Sequence, residues 1–190
     1  MLTFLSKMNM HIPSYILTRC ISTITPRQYL ILEVLALTLQ LTQKERMLLQ
    51  DQLTHEEACI KKYGSYAGQA QDPQLKQLFT QHQQHEQQHY NTITQLLQGN
   101  VPVMTSGGQN QQMQLPKAQS LGVQVNQTDD FMCHDLLMTE KYVSGTYDTV
   151  IFESTNPALR QTLQHIQKEE QQHGEDIFNY MQQHGMYTVQ

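Results

Sequence analysis

Residues 72–89 read DPQLKQLFTQHQQHEQQH, and residues 156–173 read NPALRQTLQHIQKEEQQH. Each stretch opens on an Asp or Asn that can cap a helix, followed by proline at the first helical position, where its missing N–H costs nothing. Each closes on Glu-Gln-Gln-His. The offset of 84 extends outward: residues 51–98 align with 135–182 without a gap, and 14 of the 48 positions are identical. Glutamine richness explains part of this, since 29 of the 31 glutamines follow Gln40. It does not explain the pairs Glu56/Glu140, Tyr63/Tyr147, Pro73/Pro157, Glu86/Glu170 and His89/His173. The chain therefore carries a duplicated unit.

Each unit reads as a helical hairpin. The residue before a proline is driven out of the helical region, so Asp72-Pro73 and Asn156-Pro157 must end one helix as they start the next. The spacing predicts helices over 43–71, 73–98, 128–155 and 157–184, with Gly99 and Gly185 as stops. Residues 99–127 hold Val101-Pro102, Ser106-Gly107-Gly108 and Leu115-Pro116 and show no helical period. Two hairpins joined by one long crossover form the four-helix bundle of ferritin-like topology, all-α throughout. The expected organisation is hairpin 1 over 43–98, a crossover over 99–127 and hairpin 2 over 128–184, within a domain of 41–187. Residues 1–40 differ in texture, with two glutamines and breaks at Pro13 and Pro26. They read either as a loosely packed leader or as an over-extended reading frame.

Composition removes several functions. A net charge of −5 leaves no basic footprint for nucleic acid or anionic lipid. The longest apolar run, Tyr29 to Leu41, is interrupted by Glu33 and falls short of the roughly 20 residues a membrane span needs. The N-terminal MLTFLSK does not read as a signal peptide: Lys7 comes late, and neither an unbroken apolar run nor a small-residue cleavage site stands after it. Three cysteines, Cys20, Cys59 and Cys133, are too few and too scattered for a disulfide framework or a cysteine zinc site and read as reduced thiols. Cys59 and Cys133 read as small core residues rather than nucleophiles.

The chemistry lies on the inward stripe. Steps of three and four place Leu75, Phe79, His82, Glu86, His89, Ile93 and Leu96 on one face of the second helix, and Leu159, Leu163, Ile166, Glu170, His173, Ile177 and Tyr180 on one face of the fourth. The first and third helices bring Glu56 and Glu140 inward. An unpaired carboxylate in such a core is very costly. Two divalent cations would balance four carboxylates. One Glu from each of two helices, with Glu-x-x-His from the other two, is the ligand pattern of di-iron and di-manganese bundles. The candidate ligands are Glu56, Glu86, His89, Glu140, Glu170 and His173. Measured from the turn at Asp72, Glu56 and the Glu86/His89 pair all lie roughly 20–24 Å along the axis at 1.5 Å per residue, so they share one level. Carboxylate-rich N/O ligation suits two Fe or Mn ions.

The bland alternative is an empty or proton-sharing polar layer left by a metal-binding ancestor. There, Gln at positions 86 and 170 would relieve two buried charges and leave stability unchanged or raised. Tyr63 and Tyr147, one heptad from Glu56 and Glu140, read first as ordinary core tyrosines and second as groups acting beside a metal. His82, with Ile166 as its counterpart, reads as a partly wet core histidine. His85, His165 and His184 fall off the stripe and read as solvated.

Residues 128–187 resemble the Coat F domain of bacterial spore coat proteins. The resemblance rests on Asp135-Leu136-Leu137, Thr139-Glu140-Lys141, Tyr147, Glu153, Asn156-Pro157, Leu159-Arg160 and the terminal Gly185-Met186-Tyr187, where the family usually has Gly-Trp-Tyr. Residues 41–99 are similar to its first hairpin more loosely, so about 120 residues are covered. The resemblance implies a ferritin-like fold and a structural role in the endospore coat after synthesis in the mother-cell cytoplasm. It implies other spore coat proteins as partners, with self-association into a homo-oligomer as an option, and establishes no enzyme activity. A different class of function on the same fold is a di-iron or di-manganese oxidoreductase of catalase or ferroxidase type, located at the coat.

Overall fold

The computed structural model describes Thr25, residues 39–102 and residues 125–189. Most of the expected leader and residues 103–124 of the expected crossover lie outside the described residues. Among the described residues four helices follow one another: α1 (Gln43–Gln69), α2 (Pro73–Leu97), α3 (Gln127–Glu153) and α4 (Pro157–Gln183). Over the described residues the fold is the all-α, ferritin-like bundle of two hairpins read from the sequence, and its helix boundaries fall within two residues of those expected.

Local chemistry sets those boundaries. Thr42 caps α1 in a reciprocal capping box with Glu45. Asp72, Asn126 and Asn156 cap the other three, and Pro73 and Pro157 stand at the first turn of α2 and α4. Gly99 and Gly185 adopt φ of 86° and 71°, the left-handed region where a side chain is strained. The first helix stops at Gln69 rather than at 71 because Ala70 is already extended, with ψ 133°, to reverse the chain before Asp72.

α1 packs on α2 and α3 on α4; across the hairpins, α1 meets α3 and α2 meets α4. Side-chain contacts give the directions. At one end the start of α1 meets the second turn, where Glu45 accepts hydrogen bonds from the backbone N–H and hydroxyl of Thr155 at 2.7 and 3.0 Å. At the other, Asp129 at the start of α3 accepts from the N–H groups of Gln71 and Asp72 at 3.0 and 3.1 Å. Tyr180, near the end of α4, donates to the Asp72 carboxylate at 2.9 Å. α2 and α3 therefore run parallel, and Leu97 and Gln127 lie at opposite ends of the bundle, as a long crossover requires.

Glu45 and Asp129 are related by the same offset of 84 and are almost completely buried. Each clamps the turn of the opposite hairpin by satisfying backbone donors that the reversal leaves free. Asp129→Ala would leave two such donors unpaired, at about 1–3 kcal/mol each. Thermal unfolding should show a midpoint at least roughly 4–8 °C lower. An unchanged midpoint would mean that water replaces the clamp.

The core is contiguous, built around Leu49, Tyr63, Leu75, Phe79, Ile93, Leu136, Tyr147, Leu159, Leu163 and Ile177. Among the described residues no helix is long and apolar enough to cross a membrane.

Candidate metal centre

Halfway along the bundle the apolar core is replaced by carboxylates and imidazoles. The structure brings together all six residues expected there: Glu56 from α1, Glu86 and His89 from α2, Glu140 from α3, Glu170 and His173 from α4, each at most 2% exposed. They form two groups whose donor atoms lie within 4.8 Å of one another, Glu56/Glu86/His89/Glu170 and Glu86/Glu140/Glu170/His173. Glu86 and Glu170 belong to both groups; Glu56 with His89, and Glu140 with His173, stand at the two ends.

The division of polar atoms is orderly. Four are held from behind. Tyr147 donates to Oε1 of Glu56, and Tyr63 donates to Oε1 of Glu140. Nε2 of His89 lies 2.9 Å from the Glu169 carboxylate, and Nε2 of His173 lies 3.1 Å from Nδ1 of His85. The remaining eight all point inward and have no hydrogen-bond partner: Glu56 Oε2, both oxygens of Glu86 and of Glu170, Glu140 Oε2, and Nδ1 of His89 and His173. Some are near each other, such as His89 Nδ1 at 2.9 Å from Glu170 Oε1 and His173 Nδ1 at 3.0 Å from Glu86 Oε1. Their alignment is not that of hydrogen bonds. Buried polar atoms are seldom left so in proteins, and eight converging N/O donors on four carboxylates and two imidazoles fit two divalent cations in charge and chemistry.

Electrostatics gives a second neutral arrangement, held by protons. Burial is the largest influence on every member. It raises the carboxyl of Glu56 to about 8 and, with repulsion from Glu170 and Glu86, that of Glu140 well above the usual range. Burial acts the same way on Glu86 and Glu170, but the adjoining imidazoles outweigh it and hold both low. For His173 burial opposes the proton, yet Glu170 and Glu86 raise the imidazole to about 10, and His89 is raised likewise, with Glu170 the largest favourable influence. Without metal, two carboxylates and two imidazolium groups balance; with metal, four carboxylates balance two cations. With the imidazoles protonated, Gln at positions 86 and 170 would break buried pairs rather than relieve buried charge, the opposite expectation to that of the bland alternative.

Around this centre the structure revises several readings. Tyr63 and Tyr147 do more than fill the core, since each fixes the terminal glutamate of the opposite hairpin. His82 is dry rather than partly wet: it lies 3.3 Å from Asp176, stacks on His173 with ring centroids 4.3 Å apart, and burial lowers it to about 4. His85 is exposed on one side but reaches the core through His173. His165 is half exposed, as expected, and His184 stacks on Tyr180. Cys59 and Cys133 are buried, as expected of small core residues, and burial raises both thiols, Cys133 to about 12, which disfavours the reactive thiolate. Sequence reasoning passed over Glu169, although it stands opposite His85 at the offset of 84.

The comparisons agree with this architecture. The sequence model of a family described as the Coat F domain matches residues 44–100 and 128–190. Among curated proteins nothing matches. A solved structure of a two-domain protein from Anabaena variabilis, containing DJ-1/ThiJ/PfpI-like and ferritin-like domains, superposes with a TM-score of 0.57 at 16% identity, covering 77% of this chain and 38% of that one. At that identity the likeness shows the fold, and the chain spans well under half of its neighbour.

Proposed function

The chain belongs to the Coat F family, and from that premise we propose that it is a structural component of the bacterial endospore coat carrying a di-metal carboxylate centre. Its place is the spore coat, after synthesis in the mother-cell cytoplasm, and its partners are other coat proteins. Residues 41–187 are the working domain. The observation that supports the metal is the set of eight inward, unpartnered N/O atoms beside four that are pinned from outside. Glu56, Glu86, His89, Glu140, Glu170 and His173 would hold the ions. Fe or Mn suits this ligand set.

When bound, such a pair of ions supplies Lewis-acid and redox chemistry. This chain's own groups set the surroundings. The phenols of Tyr63 and Tyr147 keep their protons, because burial raises both and the nearby carboxylates raise them further. They hold one oxygen of each terminal glutamate and leave the other free. Glu169 and His85 fix the imidazole rings so that Nδ1 faces inward.

A groove between α3 and α4, whose lining includes Glu140 and Glu170, favours a second reading: a coat-associated oxidoreductase of catalase or ferroxidase type. One experiment tests both. Protein purified without a metal-binding tag is analysed for Fe and Mn, then assayed with peroxide and with Fe(II) under oxygen. About two ions per chain without turnover supports the structural protein with a filled centre. Turnover moves the assignment to the oxidoreductase. Negligible metal, also after incubation with Fe(II) or Mn(II), rejects the metal centre.

A further inference from the structure

The two hairpins are unequal on their outer faces. The groove between α3 and α4 measures about 770 Å³, and Glu140 and Glu170 are part of its lining. Both carboxylates are buried, at 2% and 0% exposed. Behind that lining, Glu140 Oε2 and both oxygens of Glu170 have no hydrogen-bond partner and are closed off from solvent. Ser144, Gly145 and Gly174 leave it open. At the same positions hairpin 1 carries Ile60, Lys61 and Tyr90. There the helices close instead on a glycine that is filled: a Cβ on Gly64 would lie 2.4 Å from the amide nitrogen of Gln83.

Neither groove glycine is explained by crowding. A Cβ on Gly174 would make ordinary contacts, 3.7 Å to Glu140 and 3.8 Å to Leu137, and one on Gly145 would touch nothing within 4 Å. A glycine inside a helix costs roughly 0.5–1 kcal/mol relative to alanine. What the two glycines provide is space in the groove that Glu140 and Glu170 help to line. The groove has a sign as well: at its mouth Asp148 and Glu175 outnumber Lys141. Such a cleft concentrates cations. A hexahydrated divalent ion needs roughly 200 Å³ at about 30 Å³ per water, which the groove accommodates.

We propose that the α3–α4 groove is the entrance by which hydrated divalent transition-metal cations reach the cluster. This rests on the proposed metal centre and adds a route that the duplication alone would not give, since hairpin 1 offers bulky side chains at the same positions. The test is the rate of loading, with Co²⁺ alone as probe and full-length, chelator-stripped protein. Quenching of tyrosine emission, clean because the chain has no tryptophan, follows uptake in a stopped-flow instrument, and equilibrium dialysis gives the final stoichiometry. Gly174→Tyr places the residue of hairpin 1 in the groove and should slow loading at least tenfold without changing the final number of ions. Gly145→Lys, at an unobstructed position, should act in the same direction and carries the test if the first variant fails to fold. Loading at the wild-type rate in a folded variant overturns the route while leaving the metal centre intact. No Co²⁺ bound by wild-type protein at equilibrium overturns both.

Discussion

Protein carrying both Glu86→Gln and Glu170→Gln is expected to retain neither Fe nor Mn and, in chelator, to unfold roughly 6–20 °C below wild type. The loss of metal follows from position, because these are the two carboxylates common to both donor groups. The loss of stability follows from the metal-free pairing. Both carboxyls are held low by the imidazoles beside them, and breaking a buried pair costs about 3–5 kcal/mol, which for a domain of this size is roughly 2–4 °C per kcal/mol. The measurement is best made near pH 6, where the histidines still bind protons in the unfolded chain. Glu56→Gln with Glu140→Gln is the informative contrast. Those carboxyls hold their protons without metal, so an amide replaces a neutral acid of the same shape and can still accept from Tyr147 and Tyr63. That variant should also lose metal but keep its metal-free midpoint. Metal retained at wild-type stoichiometry in the first variant, or the second being the less stable, contradicts this account.

The metal-free protein is expected to lose stability as pH rises from about 6.5 to about 10, and added Mn²⁺ to abolish the loss. The sign follows from where protons are held. His173 is raised from 6.5 to about 10 in the folded chain, so its contribution is complete below 6.5 and is lost as pH climbs through 10. Glu56, raised from 4.5 to about 8, is again a group the native state protonates more tightly, and its contribution is lost between those values. His89 and Glu140 act in the same direction. Glu86 and Glu170, held low, act oppositely and only in acid, with stability lost as pH falls below 4.5. One such proton changes stability by about 1.4 kcal/mol per pH unit, so several should move the midpoint by several degrees per unit. In metal the same positions are occupied by cations and the slope should vanish. A flat midpoint between pH 6.5 and 8.5 in chelator contradicts the proton-held cluster.

The bundle was legible because its signals are local and repeated. Asp72-Pro73 and Asn156-Pro157 mark both turns by backbone sterics alone, and the inward stripe around Glu86 and Glu170 has helical spacing. The six inward residues were legible because the duplication preserved them by type. What surrounds them was not, for a physical reason. Glu169 and His85 occupy equivalent positions and support equivalent histidines, but as a carboxylate and an imidazole, so matching by identity passes over them. Glu45 and Asp129 lie six residues before the aligned block and differ by a methylene. The tyrosines were visible, but their hydrogen bonds cross between hairpins, which heptad spacing within a helix does not show.

That crossing has a consequence for how the chain came to be unequal. Tyr63 serves Glu140 while Tyr147 serves Glu56, and Asp129 clamps the first turn while Glu45 clamps the second, so neither hairpin completes its own site or its own turn. The arrangement is that of an isologous two-fold dimer contained in one polypeptide. Two identical hairpins could form it, but any substitution would then appear twice, on both sides of the axis. Joining the halves in one chain lifts that restriction. One histidine can be backed by Glu169 and the other by His85, and one face can open at Gly174 while the other keeps Tyr90. Asymmetry of this kind is available to a fused pair and closed to a symmetric one.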